Sequence, residues 1–325
     1  MKKRLFLVTI LSFLFTGVLA TPTFALRFQF ALIGDLGYNA TEVNVTIPNL
    51  IADINSNPVE FTIHDGDFKS GASPCTDAVF QQRFDTFQTF RRPFVFIFGD
   101  NEWTDCHRTG GDPLERLAKL RELFTQGNTS LGQRTLRLNR QSDDPQFSTF
   151  RENVLWTVKD IVFVGLHVVG SNNNAPLHLA NGTVVGNQQE YEERNVANLA
   201  WMRDAFALAR NTNARGIMLI IQANPYDEVP TDPTDLNGFA DFLALLQEET
   251  IAFVKPVVLV HGDSHYFRID KPMRINGFAV ENFTRVETFG TPDVHWLRAT
   301  VDSSDPNLFS FKQEIVDANI VDRVP

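Results

Sequence analysis

Five times along this 325-residue chain an apolar, strand-like run stops at a short polar cluster. Ile33 leads into Gly34-Asp35-Leu36-Gly37, Ile63 into His64-Asp65-Gly66-Asp67, and Phe98 into Gly99-Asp100-Asn101-Glu102. Ile221 leads into Gln222-Ala223-Asn224-Pro225, and Val260 into His261-Gly262-Asp263-Ser264-His265. Glycine lacks a Cβ, so a chain can turn sharply there and aim the neighbouring side chain off the strand end. In open α/β sheets that end is where ligands sit. If the five ends converge, Asp35, Asp67, Asp100, Asn101, Gln222, Asp263 and His265 share one small volume. That many desolvated carboxylates need a counter-charge, and a pair of divalent cations is an economical one. Two such ions about 3.5–4 Å apart can hold a hydroxide and clamp a phosphoryl group.

The runs themselves predict strands at Arg27–Ile33, Val59–His64, Phe94–Phe98, Ile161–Val169, Gly216–Gln222 and Val257–His261. Their near-continuous apolar character is that of strands covered on both faces. Helical patterning is expected over Ala78–Phe90, Pro113–Phe124, Gln188–Ala209 and Gly238–Phe253, with Leu114, Leu117, Leu120 and Phe124 recurring at helical spacing in the second. From Thr284 onward the alternation is stronger and reads as antiparallel. Strands alternating with helices imply an α/β layered domain. No repeat, low-complexity tract or Gly/Ser linker marks a boundary, so residues 26–325 are expected to form one domain. The 29 Phe, set in runs such as residues 93–98, read as core filler.

Residues 1–25 have a different character. Lys2, Lys3 and Arg4 precede an apolar run from Leu5 to Leu19, and small residues follow at Ala20 and Ala25. This is the layout of a secretory signal peptide, with cleavage expected after Ala20 or Ala25 and a secreted or periplasmic product. No later run approaches the length of a membrane span, so no stable insertion is expected after cleavage. Loss of the leader removes three cations and no acid, taking the formal net charge from −10 to −13. A surface of that sign repels phosphate backbones and argues against nucleic-acid binding. In an oxidising compartment the two cysteines, Cys75 and Cys106, are expected to pair. The Asn-X-Ser/Thr sites at Asn39, Asn44, Asn128, Asn181 and Asn282 are read as incidental. Oligomeric state is not legible.

The order of the clusters resembles that of the calcineurin-like metallophosphoesterases, which include the purple acid phosphatases. Their pattern runs D-x-H or G-D-x-G, then G-D, G-N-H-E/D, a strand-end His, and G-H-x-H. The corresponding stretches here are Gly34–Gly37, Gly66–Lys69, Gly99–Glu102, Ile220–Pro225 and Gly262–His265, covering residues 27 to 266 in order. The resemblance implies a layered αββα sandwich of two mixed β-sheets flanked by helices. It also implies a small phosphate-ester substrate and in-line attack by a metal-bridging hydroxide. Asp35, Asp67 and His265 would hold a first metal. Asp67 would bridge to a second, held also by Asp100, Asp263 and Gln222, with Asn224 as rival to Gln222.

The chain departs from that pattern in several places. Gly37 stands where the D-x-H histidine belongs, Asn101 where the acid-donating histidine belongs, and Ser70 where purple acid phosphatases place a metal-binding tyrosine. A coloured iron–tyrosinate site is therefore not expected. Asn can donate a hydrogen bond but not a proton. Asn101 and Glu102 remain candidates for catalytic roles, and His64 and His261 could take over the acid's work. Oxygen donors in place of two histidines favour two ions of Mn or Mg, with Fe or Ca as further options. Lys69, Arg91, Arg92 and Arg108 lie near the clusters and could offset their charge, and Ser171–Asn174 could border the cleft. Two other classes stay open: a catalytically inactive binding module of the same fold, and a glycosidase-like hydrolase in which Glu102 pairs with Asp100 or Asp263.

Overall fold

The structure is a computed structural model and describes residues 26–320; the expected leader lies outside the described residues. Two mixed sheets face each other, with helices on both outer sides. The first sheet has the strand order Phe309–Glu314, Trp296–Asp302, Arg27–Ile33, Thr62–His64, Phe94–Phe96. The second runs Arg268–Asp270, Phe283–Glu287, Val257–His261, Gly216–Ile220, Ile161–Gly165, Val154–Val158, Asn139–Arg140.

Alternation within the apolar runs explains the layers. In Gly216–Ile220, Met218 and Ile220 face the first sheet, where they meet Phe30, Ile63 and Val95. Ile217 and Leu219 point outward, to Met202, Phe206, Phe242 and Leu246 of the helices Gln188–Asn211 and Ala240–Phe253. The first sheet covers its own outer face with Ile47–Ser56, Asp77–Phe87 and Pro113–Phe124, through Leu50, Ile54, Phe80, Phe87, Leu117 and Leu120. Phenylalanine fills the space between the sheets. Phe30 stacks on Phe61 at 4.8 Å, and both meet the edge of Phe163 at 5.4 Å. Such rings bury large apolar areas, and aliphatic residues such as Leu32, Ile63, Met218 and Val260 pack around them.

Strand register brings the chemistry to one rim. Ile33 lies opposite His64, and His64 opposite Phe96, all in parallel, so these strands end level. In the second sheet Gly165 lies opposite Ile220, and Ile220 opposite Val260, again in parallel. Each polar cluster follows one of these level ends.

The observed elements differ from expectation mostly at their ends. The run Ile161–Val169 is strand only to Gly165, and the run 94–98 only to Phe96, because the chain leaves each sheet as it enters the rim. Leu114 is exposed; the buried stripe of its helix is Leu117, Leu120 and Phe124. Phe283–Glu287 pairs in parallel with Val257–His261, whereas Trp296–Asp302 and Phe309–Glu314 are antiparallel as expected. The helix Ile47–Ser56 and the strand Val154–Val158 have no counterpart in the sequence-based expectations. Cys75 and Cys106 form a disulfide with a Cα–Cα distance of 5.7 Å. Among the described residues no helix is long and apolar enough to cross a membrane.

Candidate metal centre

The rim opens into a cleft of about 480 Å³ lined by Asp67, Asp100, Asp263 and His265, together with Tyr38, Asn101, Asp105, Arg108, Ser171 and Glu228. Two hollows of about 620 Å³ lie near the starts of the second sheet's strands, lined by residues such as Val257 and Arg215, and contain none of these groups. Asp35 is buried directly beneath the cleft.

Backbone strain and missing Cβ atoms create the convergence. Asp35, Asp67, Asp263 and His265 have φ of 52°, 60°, 77° and 57°, in the left-handed region that non-glycine residues seldom occupy. Each such residue costs roughly 1–3 kcal/mol and persists only where the surroundings over-determine it. A Cβ on Gly99 would overlap the Asp67 carboxylate, and one on Gly262 that of Asp35. Close approach of those carboxylates to the backbone is what the glycines at these strand ends permit.

Three carboxylates close on one another. Asp67, Asp100 and Asp263 each offer an oxygen within 4.8 Å of the other two. Asp35 sits deeper, with both oxygens accepting the Asp263 backbone N–H at 3.2 and 3.0 Å. Gln222 is buried against the trio. Its Nε2 donates to Asp263 at 2.8 Å, to Asp67 at 3.2 Å and to Asp100 at 3.3 Å, and its Oε1 accepts the Gly170 N–H at 2.6 Å. In this orientation Gln222 offers the cluster an N–H donor, where an oxygen ligand is expected from the sequence. Its rival Asn224 points elsewhere, donating to Ser264 and Asp227.

Asn101 also serves the cluster as a donor. Its backbone N–H reaches Asp67 at 3.0 Å and its Nδ2 reaches the same carboxylate at 2.7 Å. The remaining expected catalytic residues do not reach the cleft. Glu102 is fully buried and accepts the N–H groups of Gly99 and Asp67, so it props the loops from below and cannot flank a sugar bond. His64 is enclosed by Phe87, Phe94 and Phe96, with Nδ1 accepting the Gly66 N–H. His261 donates from Nδ1 to the Gly262 carbonyl. Burial pushes both imidazoles down to about 3, so at neutral pH each is the neutral ring with a single N–H and lacks the second proton an acid would give up. Lys69 is buried and ties Ser70 O to Asn101 O, and neither Arg91 nor Arg92 lines the cleft.

Several cleft groups carried little or no signal in the sequence. Tyr38 follows Asp35 by three positions, and Gly37, at φ +89°, turns it back over the rim. Ser171, Asn172, Asn173 and Asn174 have φ between 53° and 59°, forming a left-handed turn. Buried partners hold that turn: the Asn172 N–H donates to Glu228, and Arg194 donates to Asn173. The turn aims the Ser171 hydroxyl at Asp100 (2.9 Å) and Asp105 (2.7 Å). Arg108, paired with Asp105 at 2.6 Å, is half exposed and is the one arginine or lysine among the residues lining the cleft.

The electrostatics follow from that imbalance. Burial, then the neighbouring charges of Asp100, Glu102, Asp35 and Asp263, hold Asp67 well above the usual carboxylate range. Burial and the charge of Asp65 do the same to Asp35. Asp100 and Asp263 are pushed up to about 6, mainly by burial, and Asp105 to about 7 by burial and Asp100. Glu228 reaches about 9 through burial and the charges of Asp263 and Asp100, and its Oε2 has no hydrogen-bond partner. His265 is lowered by burial. Its Nδ1 faces the Thr291 carbonyl at 2.9 Å, leaving Nε2 turned toward Tyr38. Hard oxygen donors that converge and an excess of acidic side chains together fit an oxygen-preferring divalent cation held by Asp67, Asp100 and Asp263.

No protein-family profile matches the chain, and no curated protein matches it in sequence. Solved structures do share its architecture. It is similar to GAP50, the anchor in the inner membrane complex of Plasmodium, with a TM-score of 0.50 and 12% identity over 90% of this chain and 92% of that one. It is also similar to PhoD, with a TM-score of 0.51 and 10% identity over 88% of this chain and 68% of that one. At such identities the likeness is one of fold.

Proposed function

We propose that this chain, which has the calcineurin-like metallophosphoesterase fold, is an exported, metal-dependent phosphoesterase acting on small phosphate esters. The observation that carries the reading is the Asp67–Asp100–Asp263 trio at the level ends of strands from both sheets. Asp67, Asp100 and Asp263 would hold a hard cation, Mn or Mg by its donor chemistry, and a second would fall to Asp35 and His265. Bound there, a divalent ion supplies Lewis-acid stabilisation of charge on the transferring phosphoryl group.

The chain's own residues have separable tasks. Asn101, anchored on Asp67 by two hydrogen bonds, orients that carboxylate. Arg108 and Ser171 flank the open side, and the guanidinium fork is suited to bind two phosphoryl oxygens. Glu228 lines the same cleft, and its burial favours the protonated carboxyl, so it is the group placed to protonate the departing oxygen, a task closed to the buried His64 and His261.

A second reading, an inactive binding module of this fold, is favoured by one observation. Donors of this chain, the Gln222 amide and the Tyr38 hydroxyl, already stand among the carboxylates. Metal content and turnover of a chromogenic phosphate ester, compared between wild type and Asp67→Asn, separate the two. The phosphoesterase reading expects metal-dependent turnover lost in the variant. An active, fully metallated Asp67→Asn enzyme contradicts the role given to Asp67. A metal-loaded wild type without turnover on mono- or diesters supports the binding module. Turnover that survives strong chelation removes the metal from the reaction.

A further inference from the structure

The Tyr38 hydroxyl has an unusual set of neighbours. It lies 3.1 Å from Asp67 Oδ2, 3.5 Å from Asp35 Oδ1 and 3.1 Å from His265 Nε2, and it accepts a hydrogen bond from Asn101 Nδ2 at 2.8 Å. One hydroxyl proton thus faces three acceptors, two of them carboxylates. These three side chains are the set that a cation beside Asp35 would need. Among the described residues they do not form a group whose ligand atoms all lie within 4.8 Å of one another, whereas Asp67, Asp100 and Asp263 do. Ligand atoms sit about 2.0–2.2 Å from a transition metal. The phenol oxygen keeps its neighbours at hydrogen-bond separations, and one of its lone pairs is engaged by Asn101 Nδ2.

Tyr38 is also fixed in place. The backbone N–H groups of Gly37 and Tyr38 both donate to one oxygen of buried Glu42, each at 2.9 Å. The ring stands edge-on to His265 with centroids 5.0 Å apart. The turn is therefore anchored from beneath, and the hydroxyl is held among the three acceptors by the fold.

We propose that the Tyr38 hydroxyl is a built-in occupant of the ion position bounded by Asp35, Asp67 and His265, so that the resting protein takes up a single divalent cation, at Asp67, Asp100 and Asp263. The inference rests on the cation reading above and narrows it from two ions to one. It also gives Tyr38 a selective role: its oxygen fills the space between two carboxylates and a histidine, and its one proton serves one of these acceptors at a time without an ion.

The test is the Mn²⁺ count per chain after equilibrium dialysis, with electron paramagnetic resonance of the same samples. Wild type is expected to bind one ion and show the six-line signal of an isolated Mn²⁺. Tyr38→Ala, which removes hydroxyl and ring, is expected to bind two and show the signal of a coupled pair. Two ions in wild type, or visible charge-transfer absorption from a phenolate in ferric-loaded wild type, overturns the proposal and leaves the phosphoesterase reading standing. No ion in wild type overturns both. A folded Tyr38→Ala that stays at one ion overturns the proposal. If that variant does not fold, the wild-type count and spectrum still decide.

Discussion

Gln222 Oε1 accepts the Gly170 backbone N–H at 2.6 Å, and that one bond fixes which end of the amide faces the acidic cluster. With its oxygen committed, the side chain can present only N–H groups to Asp67, Asp100 and Asp263. A cation that takes all three carboxylates must displace the amide or turn it, giving up the bond to Gly170.

Gln222→Glu reverses this relationship. A carboxylate has no N–H for the three acids, so the metal-free protein should lose about 1–3 kcal/mol, the cost of leaving buried polar groups unpaired. The extra negative oxygen should make the variant more dependent on divalent cations. Thermal unfolding with chelator and with excess Mn²⁺ checks this. The melting temperature with chelator should fall below that of wild type, and the rise on adding Mn²⁺ should exceed the wild-type rise.

The metal-free protein should become more stable on mild acidification. Asp100 and Asp263 are raised to about 6, Asp105 to about 7 and Glu228 to about 9, while carboxyls of an unfolded chain titrate near 4. A group whose folded pKa is raised binds protons more tightly when folded. Its contribution is complete below the unfolded value and is lost as pH rises through the folded one. Stability without metal should therefore decline from about pH 5 to pH 9. Saturating Mn²⁺ should flatten or reverse the slope, because the ion favours the deprotonated carboxylates. Denaturant midpoints measured across that range, with and without metal, are the check.

Arg108→Ala should weaken phosphate binding without emptying the metal site. A charge-assisted hydrogen-bonding pair contributes about 1.5–3 kcal/mol, equivalent to a roughly 10- to 100-fold rise in KM and in the inhibition constant of inorganic phosphate. Arg108→Lys should recover part of the loss, since it restores charge but not the fork. Elemental analysis should give unchanged metal content in both variants.

Glu228→Gln removes the proposed proton donor and keeps the hydrogen bond to the Asn172 N–H. Its effect should depend on the leaving group. Rates with alkyl phosphates, whose departing oxygen needs a proton, should fall roughly 100-fold or more, and those with nitrophenyl phosphate much less. Equal losses on both substrates would assign Glu228 to structure.

Reducing the Cys75–Cys106 disulfide, which closes a sequence separation of 31, should cost about 3–4 kcal/mol by the loop-entropy relation. It also frees the turn Thr104–Thr109 that carries Asp105 and Arg108. A lower melting temperature should therefore come with a higher KM. Unchanged KM in a still-folded Cys75→Ser/Cys106→Ser protein would separate the staple from the phosphate site.

Much of the architecture was written in local pattern. A continuous apolar strand needs cover on both faces, and Gly beside Asp at its end needs a turn, so sheet class and a polar rim carrying Asp35, Asp67, Asp100 and Asp263 were legible in the chain, while strand register made them converge. The direction each side chain takes at the rim does not. His64 and Asp65 are neighbours of Asp67, yet one packs among phenylalanines and the other lies buried against Thr288. Whether Gln222 shows oxygen or nitrogen depends on Gly170, 52 positions away. Tyr38, Ser171 and Glu228 enter the cleft because positive-φ turns and buried hydrogen bonds redirect the backbone. Such turns depend on tertiary partners to offset their strain, so no periodicity announces them. Hydrophobic spacing chose the layers; contacts between distant loops chose which donors and acids meet.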